Sequence, residues 1–122
     1  MIERSAILSP DRQYRYLLSR IWNPPKGFAL FVCLNPSTAD ENTDDPTIRR
    51  CIRFAGSWGY GGMKMVNLFA LRSANPKALY SRDDPIGPEN SKYIGIESET
   101  ALVTIAAWGV HGVYMDRDRI GL

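Results

Sequence analysis

Histidine and cysteine are scarce in this sequence, which holds one histidine, His111, and two cysteines, Cys33 and Cys51. There is no CxxC pair and no His/Cys cluster of zinc-ligand spacing, which argues against a structural zinc site. Cys33 lies in an apolar run and Cys51 in an expected helix, so each reads as a small buried hydrophobe. Long apolar runs are missing as well. No stretch approaches the ~20 residues of a membrane span, and the N-terminus, with Glu3 and Arg4, lacks the apolar h-region of a signal peptide. The expectation is a cytoplasmic protein with no membrane partner. Nor is there a large excess of one charge: 15 Lys and Arg against 13 Asp and Glu leave a formal net charge of +2. That balance permits a polyanionic partner without supplying the basic surplus of a protein that binds nucleic acid by charge alone. The 122 residues, 44% of them hydrophobic, suffice for one domain with one core, and no repeat, low-complexity tract or linker divides them.

What is present is a succession of strand and helix patterns. Residues 5–8 and 14–21 read as two strands joined by Ser9-Pro10-Asp11-Arg12, which has the Pro and Asp of a tight turn, and so as an N-terminal β-hairpin. Residues 28–34 form a continuous apolar run, expected as a central parallel strand buried on both faces. Asp44 or Asp45 is placed to cap a helix with Pro46 at its start. Ile48, Cys51, Ile52 and Ala55 recur at helical spacing, with Arg49, Arg50 and Arg53 on the other face, and the helix should end near Gly56 or Gly59. A strand over 63–68 completes a βαβ unit. Residues 70–88, with Pro76, Pro85, Gly87 and Pro88, read as a long loop containing at most a helical turn at 77–80. A helix over 88–97, weakened by Gly95, precedes a third buried strand over 101–107 that Trp108-Gly109 closes.

In open parallel sheets ligands bind beyond the carboxyl ends of the strands. Three groups belong there: Leu34-Asn35-Pro36-Ser37-Thr38-Ala39-Asp40 after the first core strand, Asn67 to Arg72 after the second, and Trp108 to His111 after the third. The Asn35 amide can hold a water, a carbonyl or a base edge, Pro36 fixes the turn, and Ser37 and Thr38 bring hydroxyls. The same four residues are also ordinary turn formers. Asn67 interrupts an apolar strand end, either to bind a ligand or to bridge two loops. Arg72 suits a phosphate or carboxylate, or a salt bridge to Asp83 or Asp84. His111 stands where acid/base work is available to it, although a lone histidine commonly has no such role. Phe69 and Trp108 are the aromatic residues carried forward as stacking platforms, whereas Trp58 and Tyr60 read as core. The acidic residues Asp40, Glu41, Asp44 and Asp45 read as helix capping in preference to a Mg²⁺ site.

Taken in order, Leu34-Asn-Pro-Ser-Thr-Ala-Asp40, Asp45-Pro-Thr, Trp58-Gly-Tyr-Gly, Val66-Asn-Leu-Phe-Ala-Leu-Arg72, Asn75-Pro, Gly87-Pro-Glu-Asn90 and Ala107-Trp-Gly109 resemble a bacterial and phage domain family whose function is not established. That family is similar, more faintly, to the uracil-DNA glycosylase superfamily, a three-layer α/β/α fold. The resemblance implies a mostly parallel sheet behind the N-terminal hairpin. It also implies that Asn35, with Pro36, positions the attacking water and that Asn67 reads the base. Residues 67–72 are similar to a stretch of the iron–sulfur glycosylases, but the cluster cysteines are absent, so no cofactor is expected. The glycosylases end with a His-Pro-Ser type loop and a further strand. The chain stops at Leu122 without either, and His111 is not at the matching place. The expectation is therefore a single domain over 1–122 lacking its C-terminal strand, as a natural short form or a fragment.

Three functions compete at this stage. An enzyme would flip a base and cleave its N-glycosidic bond without metal, using Asn35 and Asn67. A binding module would hold DNA or a nucleotide with Phe69 or Trp108 stacking and Arg72 on phosphate. An interaction protein would pair, for instance as a homodimer, through an exposed sheet edge.

Overall fold

A computed structural model describes residues 2–73 and 84–107. It is a mixed α/β structure. Strands β1 (Glu3–Leu8), β2 (Arg15–Ile21), β3 (Ala29–Cys33), β4 (Gly62–Asn67) and β5 (Val103–Ala107) form a five-stranded sheet in the order β1-β2-β4-β3-β5, accompanied by helices α1 (Pro46–Ser57) and α2 (Asn90–Thr100). Strand β3 pairs in parallel with β4 and with β5, whereas β2 is antiparallel to β1 and to β4. The hairpin expected ahead of the sheet is thus continuous with it; β3 is the central one of the three parallel strands, as expected, while β4 is the middle strand of the five.

The helices form where the sequence provides for them. Asp45 caps α1: its Oδ1 accepts from the Ile48 N–H at 2.9 Å, and Pro46 occupies the first turn, where no donor is needed. Ile48, Cys51 and Ala55 of α1 pack with Ala29 and Phe31 of β3, Met63 and Met65 of β4, and Leu18 of β2. Ile94 of α2 packs with Leu17, Leu30, Val32 and Val66, the residues that alternate with that first set. The two helices therefore cover opposite faces of the sheet.

Two expectations change. The strand over 101–107 is present as β5, but it is not fully buried: Ala106 and Ala107 are exposed, and β5 is at the edge of the sheet among the described strands. With one pairing neighbour among the described strands, β5 receives the α1 face contacts of Val103 and Ile105 only in part. The second helix begins at Asn90 and runs to Thr100, beyond the expected end at 97, and tolerates Gly95 on an exposed side. The helical turn expected at 77–80, together with Trp108 and His111, lies outside the described residues.

After β4 the chain is sewn to its neighbours by backbone bonds. The N–H groups of Leu68, Phe69 and Ser73 donate to the carbonyls of Cys33, Leu34 and Pro36, at 2.9, 2.9 and 2.8 Å. Those of Arg15 and Arg72 cross-link this segment to the end of the hairpin turn, through Ala70 and Gln13. The carboxyl ends of β3 and β4 are in this way held as one rigid corner.

Candidate functional site

A groove of about 550 Å³ opens on the α1 face at the carboxyl ends of β3 and β5. Its floor is Phe31, Cys33, Ile105 and Ala107, and α1 builds one wall with Thr47, Arg50, Cys51, Phe54 and Trp58. Leu34, Asn35, Ser37 and Ser73 close the polar end. Phe54 and Trp58, one helical turn apart, are 47% and 51% exposed and stack on each other with ring centroids 5.5 Å apart, and Trp58 also stacks on Phe31 at 6.2 Å. An exposed aromatic pair facing a groove is a platform for a planar ligand.

Asn35 is held firmly. Its Nδ2 donates to the carbonyls of Ser73, Pro36 and Leu71 at 2.8, 3.2 and 3.5 Å, which orients the amide and leaves Oδ1 as the acceptor it offers. Ser37 joins it in the groove, and Pro36 is buried beside a smaller cavity below. Thr38 is exposed and contributes its carbonyl to Arg72 rather than a hydroxyl to the groove.

The remaining expected residues are placed elsewhere. Asn67 is 1% exposed and is not among the groove's lining residues. Its Oδ1 accepts from Arg15 Nη2 at 3.3 Å, while its Nδ2 is buried with no hydrogen-bond partner among the described residues. Phe69 is 0% exposed and belongs to the core on the α2 face, so it offers no stacking surface to the groove. Arg72 donates to the carbonyls of Arg12 and Thr38 at 3.2 and 3.4 Å, tying loops together, and Asp83, one of its expected bridging partners, lies outside the described residues. The acidic residues are also engaged. Asp45 caps α1, Asp44 pairs with Arg20 at 2.8 Å, and Glu41 pairs with Arg12 at 2.6 Å. Among the described residues no group of three or more His, Cys, Asp and Glu is arranged to hold a metal ion, and no helix is long and apolar enough to cross a membrane.

Two groups escaped the sequence reading. Trp58 reads as core in the sequence yet is half exposed, and as the C-cap of α1 it continues the three- and four-residue spacing of Thr47, Arg50 and Phe54. That stripe runs beside the buried one and was legible as a second helical face. The other group is Arg15, 1% exposed inside the sheet. Its Nη1 donates to the Ala39 carbonyl at 3.1 Å, and its Nη2 to Asn67 Oδ1 and Met65 Sδ, both at 3.3 Å. Burial pushes its pKa down to about 10, against the opposing pull of Asp45, which still leaves it charged at neutral pH. Burial likewise pushes the Cys33 thiol up to about 11 and the Cys51 thiol up to about 12, so neither is a thiolate nucleophile near neutrality.

Comparison with curated proteins and with solved structures finds no significant match. One family model does match, over residues 15–120, and its description is "Protein of unknown function (DUF1643)". That span takes in both helices, the groove, Arg15 and Asn35, and four of the five strands, so the chain belongs to the DUF1643 family of proteins of unknown function.

Proposed function

We propose that the chain is a nucleotide- or nucleic-acid-binding module whose α1 groove receives a base. The observation that carries this reading is the exposed Phe54–Trp58 stack on the same wall as Arg50, facing Asn35 and Ser37 across the groove. A base stacks on any aromatic face, an arginine takes a phosphate, and a fixed amide acceptor reads a base or sugar donor. Arg49 and Arg53, also exposed on α1, extend the positive edge along which a strand would run.

The test is a titration of fluorescent single-stranded oligonucleotides and of free nucleotides. Saturable, salt-sensitive binding is expected. Phe54→Ala and Trp58→Ala should each weaken it roughly tenfold, in line with the ~1–3 kcal/mol of a base–aromatic stack. No affinity for any nucleotide or strand would remove the reading.

The immobilised Asn35 amide favours a second reading, hydrolysis of an N-glycosidic bond with Oδ1 orienting water. Incubation with DNA containing uracil, hypoxanthine or hydroxymethyluracil should then leave abasic sites, and Asn35→Ala should abolish them.

A further inference from the structure

Below Asn35 and Ser37 lies a second cavity of about 40 Å³, lined by Arg15, Cys33, Asn35, Pro36, Ser37, Asp45, Thr47, Ile48 and Met65. It shares Cys33, Asn35, Ser37 and Thr47 with the groove above, so it sits at the groove's foot. We propose that this cavity is an oxyanion subsite in which Arg15 receives a phosphate oxygen of the ligand whose base lies in the groove. The proposal rests on the nucleotide reading of the groove and adds a charged, buried specificity determinant to it.

A second buried arginine on the same strand shows what a purely structural one looks like in this chain. Arg20, 0% exposed on the same strand, has its Nε on Asp44 Oδ1 at 2.8 Å, and its other nitrogens donate to the carbonyls of Ser5, Ser19, Asp40 and Thr43. Arg15 is as deeply buried, yet its hydrogen-bond acceptors are all neutral. Its Nε has no partner among the described residues, and neither does Nδ2 of the Asn67 to which it is bonded. Arg15, which lines the cavity, therefore keeps one buried donor unpaired, as does the amide bonded to it, and native cores seldom leave such donors without an acceptor.

The backbone aims Arg15 there. Along β2 the odd-numbered residues Leu17 and Ser19 face α2, and plain alternation would send Arg15 to the same face. The register with β1 shifts between Ile7 and Leu8, which pair with Leu17 and Arg15, so Tyr16 is an extra residue. Tyr16 stays on the α2 face, stacked on Tyr93 at 5.5 Å, and Arg15 is turned to the α1 face and the cavity. Bulges that re-aim one side chain are frequent beside binding sites.

Size and charge then specify the guest. A water occupies about 30 Å³ of liquid, so the cavity admits an oxygen-sized group and excludes a ring. Asp45 also lines it and its charge acts favourably on Arg15, but both of its oxygens already accept backbone N–H groups, from Ile48 at 2.9 Å and Ala39 at 3.3 Å, and the positive charges of Arg72 and Arg20 act on Arg15 as well. The start of α1, with Thr47 and Ile48 at the cavity wall, adds the positive end of a 12-residue helix.

The experiment follows the Arg15 side-chain Nε–H resonance of the ¹⁵N-labelled protein, assigned with Arg15→Lys, and uses Arg20 Nε–H as the internal control. Nucleoside monophosphate, a dinucleotide, the bare nucleoside and inorganic phosphate are added in turn. Arg15 should shift with the monophosphate or, if the phosphate is internal, with the dinucleotide, and Arg20 should not move. Arg15→Lys should raise the Kd of that ligand about tenfold while changing the nucleoside Kd less than about twofold. If nucleosides bind but Arg15 Nε–H ignores every phosphate, the cavity holds only water and the proposal falls while the groove reading stands. If inorganic phosphate moves Arg15 but no base is bound, the subsite stands and the groove reading falls.

Discussion

Arg20 and Asp44 illustrate how much a single buried charge depends on its partner. The 2.8 Å contact from Nε to Oδ1, with Asp44 itself 18% exposed, neutralises a guanidinium that has no access to water. Removing the carboxylate strands the charge, so Asp44→Ala should destabilise the fold by about 3 kcal/mol, measurable by urea denaturation. A loss under ~1 kcal/mol would show that the surrounding carbonyls suffice. Asp40 makes a pH-dependent contribution. The N–H groups of Asn42 and Thr43, at 2.9 and 2.8 Å, hold its carboxylate below the ordinary value of 3.8, the bond from Asn42 being the larger cause. A carboxyl with a depressed pKa in the folded chain stabilises it above the unfolded value and loses that effect as pH falls through the folded one. Asp40→Asn should therefore lower the thermal midpoint at neutral pH, and the gap to the parent protein should narrow as the pH drops below 3.8. A gap independent of pH would contradict this.

The connection from α1 into β4 shows an element joined by close approach. Gly61 accepts from the N–H groups of Trp22 and Asn23, both at 2.9 Å, and donates to Gly27 at 2.8 Å. A Cβ there would lie 1.7 Å from the Asn23 carbonyl oxygen, and backbone cannot yield as a side chain does. Gly61→Ala should cost at least about 3 kcal/mol and unregister β4 from the end of β2, visible as a lowered thermal midpoint. A tolerated alanine would mean that the turn can shift. The helix α1 was legible from its spacing because a cap, a Pro at the first turn and an apolar stripe all agree on one register. Its second stripe, Thr47, Arg50, Phe54 and Trp58, was read only as far as the arginine, since exposed aromatics in a sequence look the same as core ones until a neighbour is known.

In the assembled sheet β4 is flanked by β2 and β3 and covered by residues of both cores, while β1 is an edge strand with an exposed outer side. Hydrogen exchange should accordingly be slowest for β4 amides and fastest for those of β1 among the strands. Equal protection of the two would contradict the strand order. Among the described strands β5 has one neighbour and exposes Ala106 and Ala107, which an apolar run of seven residues could not reveal. Apolar continuity marks a strand without saying how many neighbours cover it.

The local sequence was enough to specify the hairpin, the strand that ends at Cys33, the capped helix after Asp45 and the corner that presents Asn35. Turn chemistry, capping and hydrophobic period, all set by residues close in the chain, mark these elements, although the Asn35 corner is fixed in place by the distant Leu71 and Ser73 carbonyls. The burial of Asn67 and Phe69, the opening of the groove beside Trp58 and the turning of Arg15 toward the α1 face depend on partners far away in sequence. Arg15 is the clearest instance. One extra residue opposite β1 reverses which face of the sheet it points to, and no periodicity within β2 carries that information, because the slip exists only in the pairing of two strands.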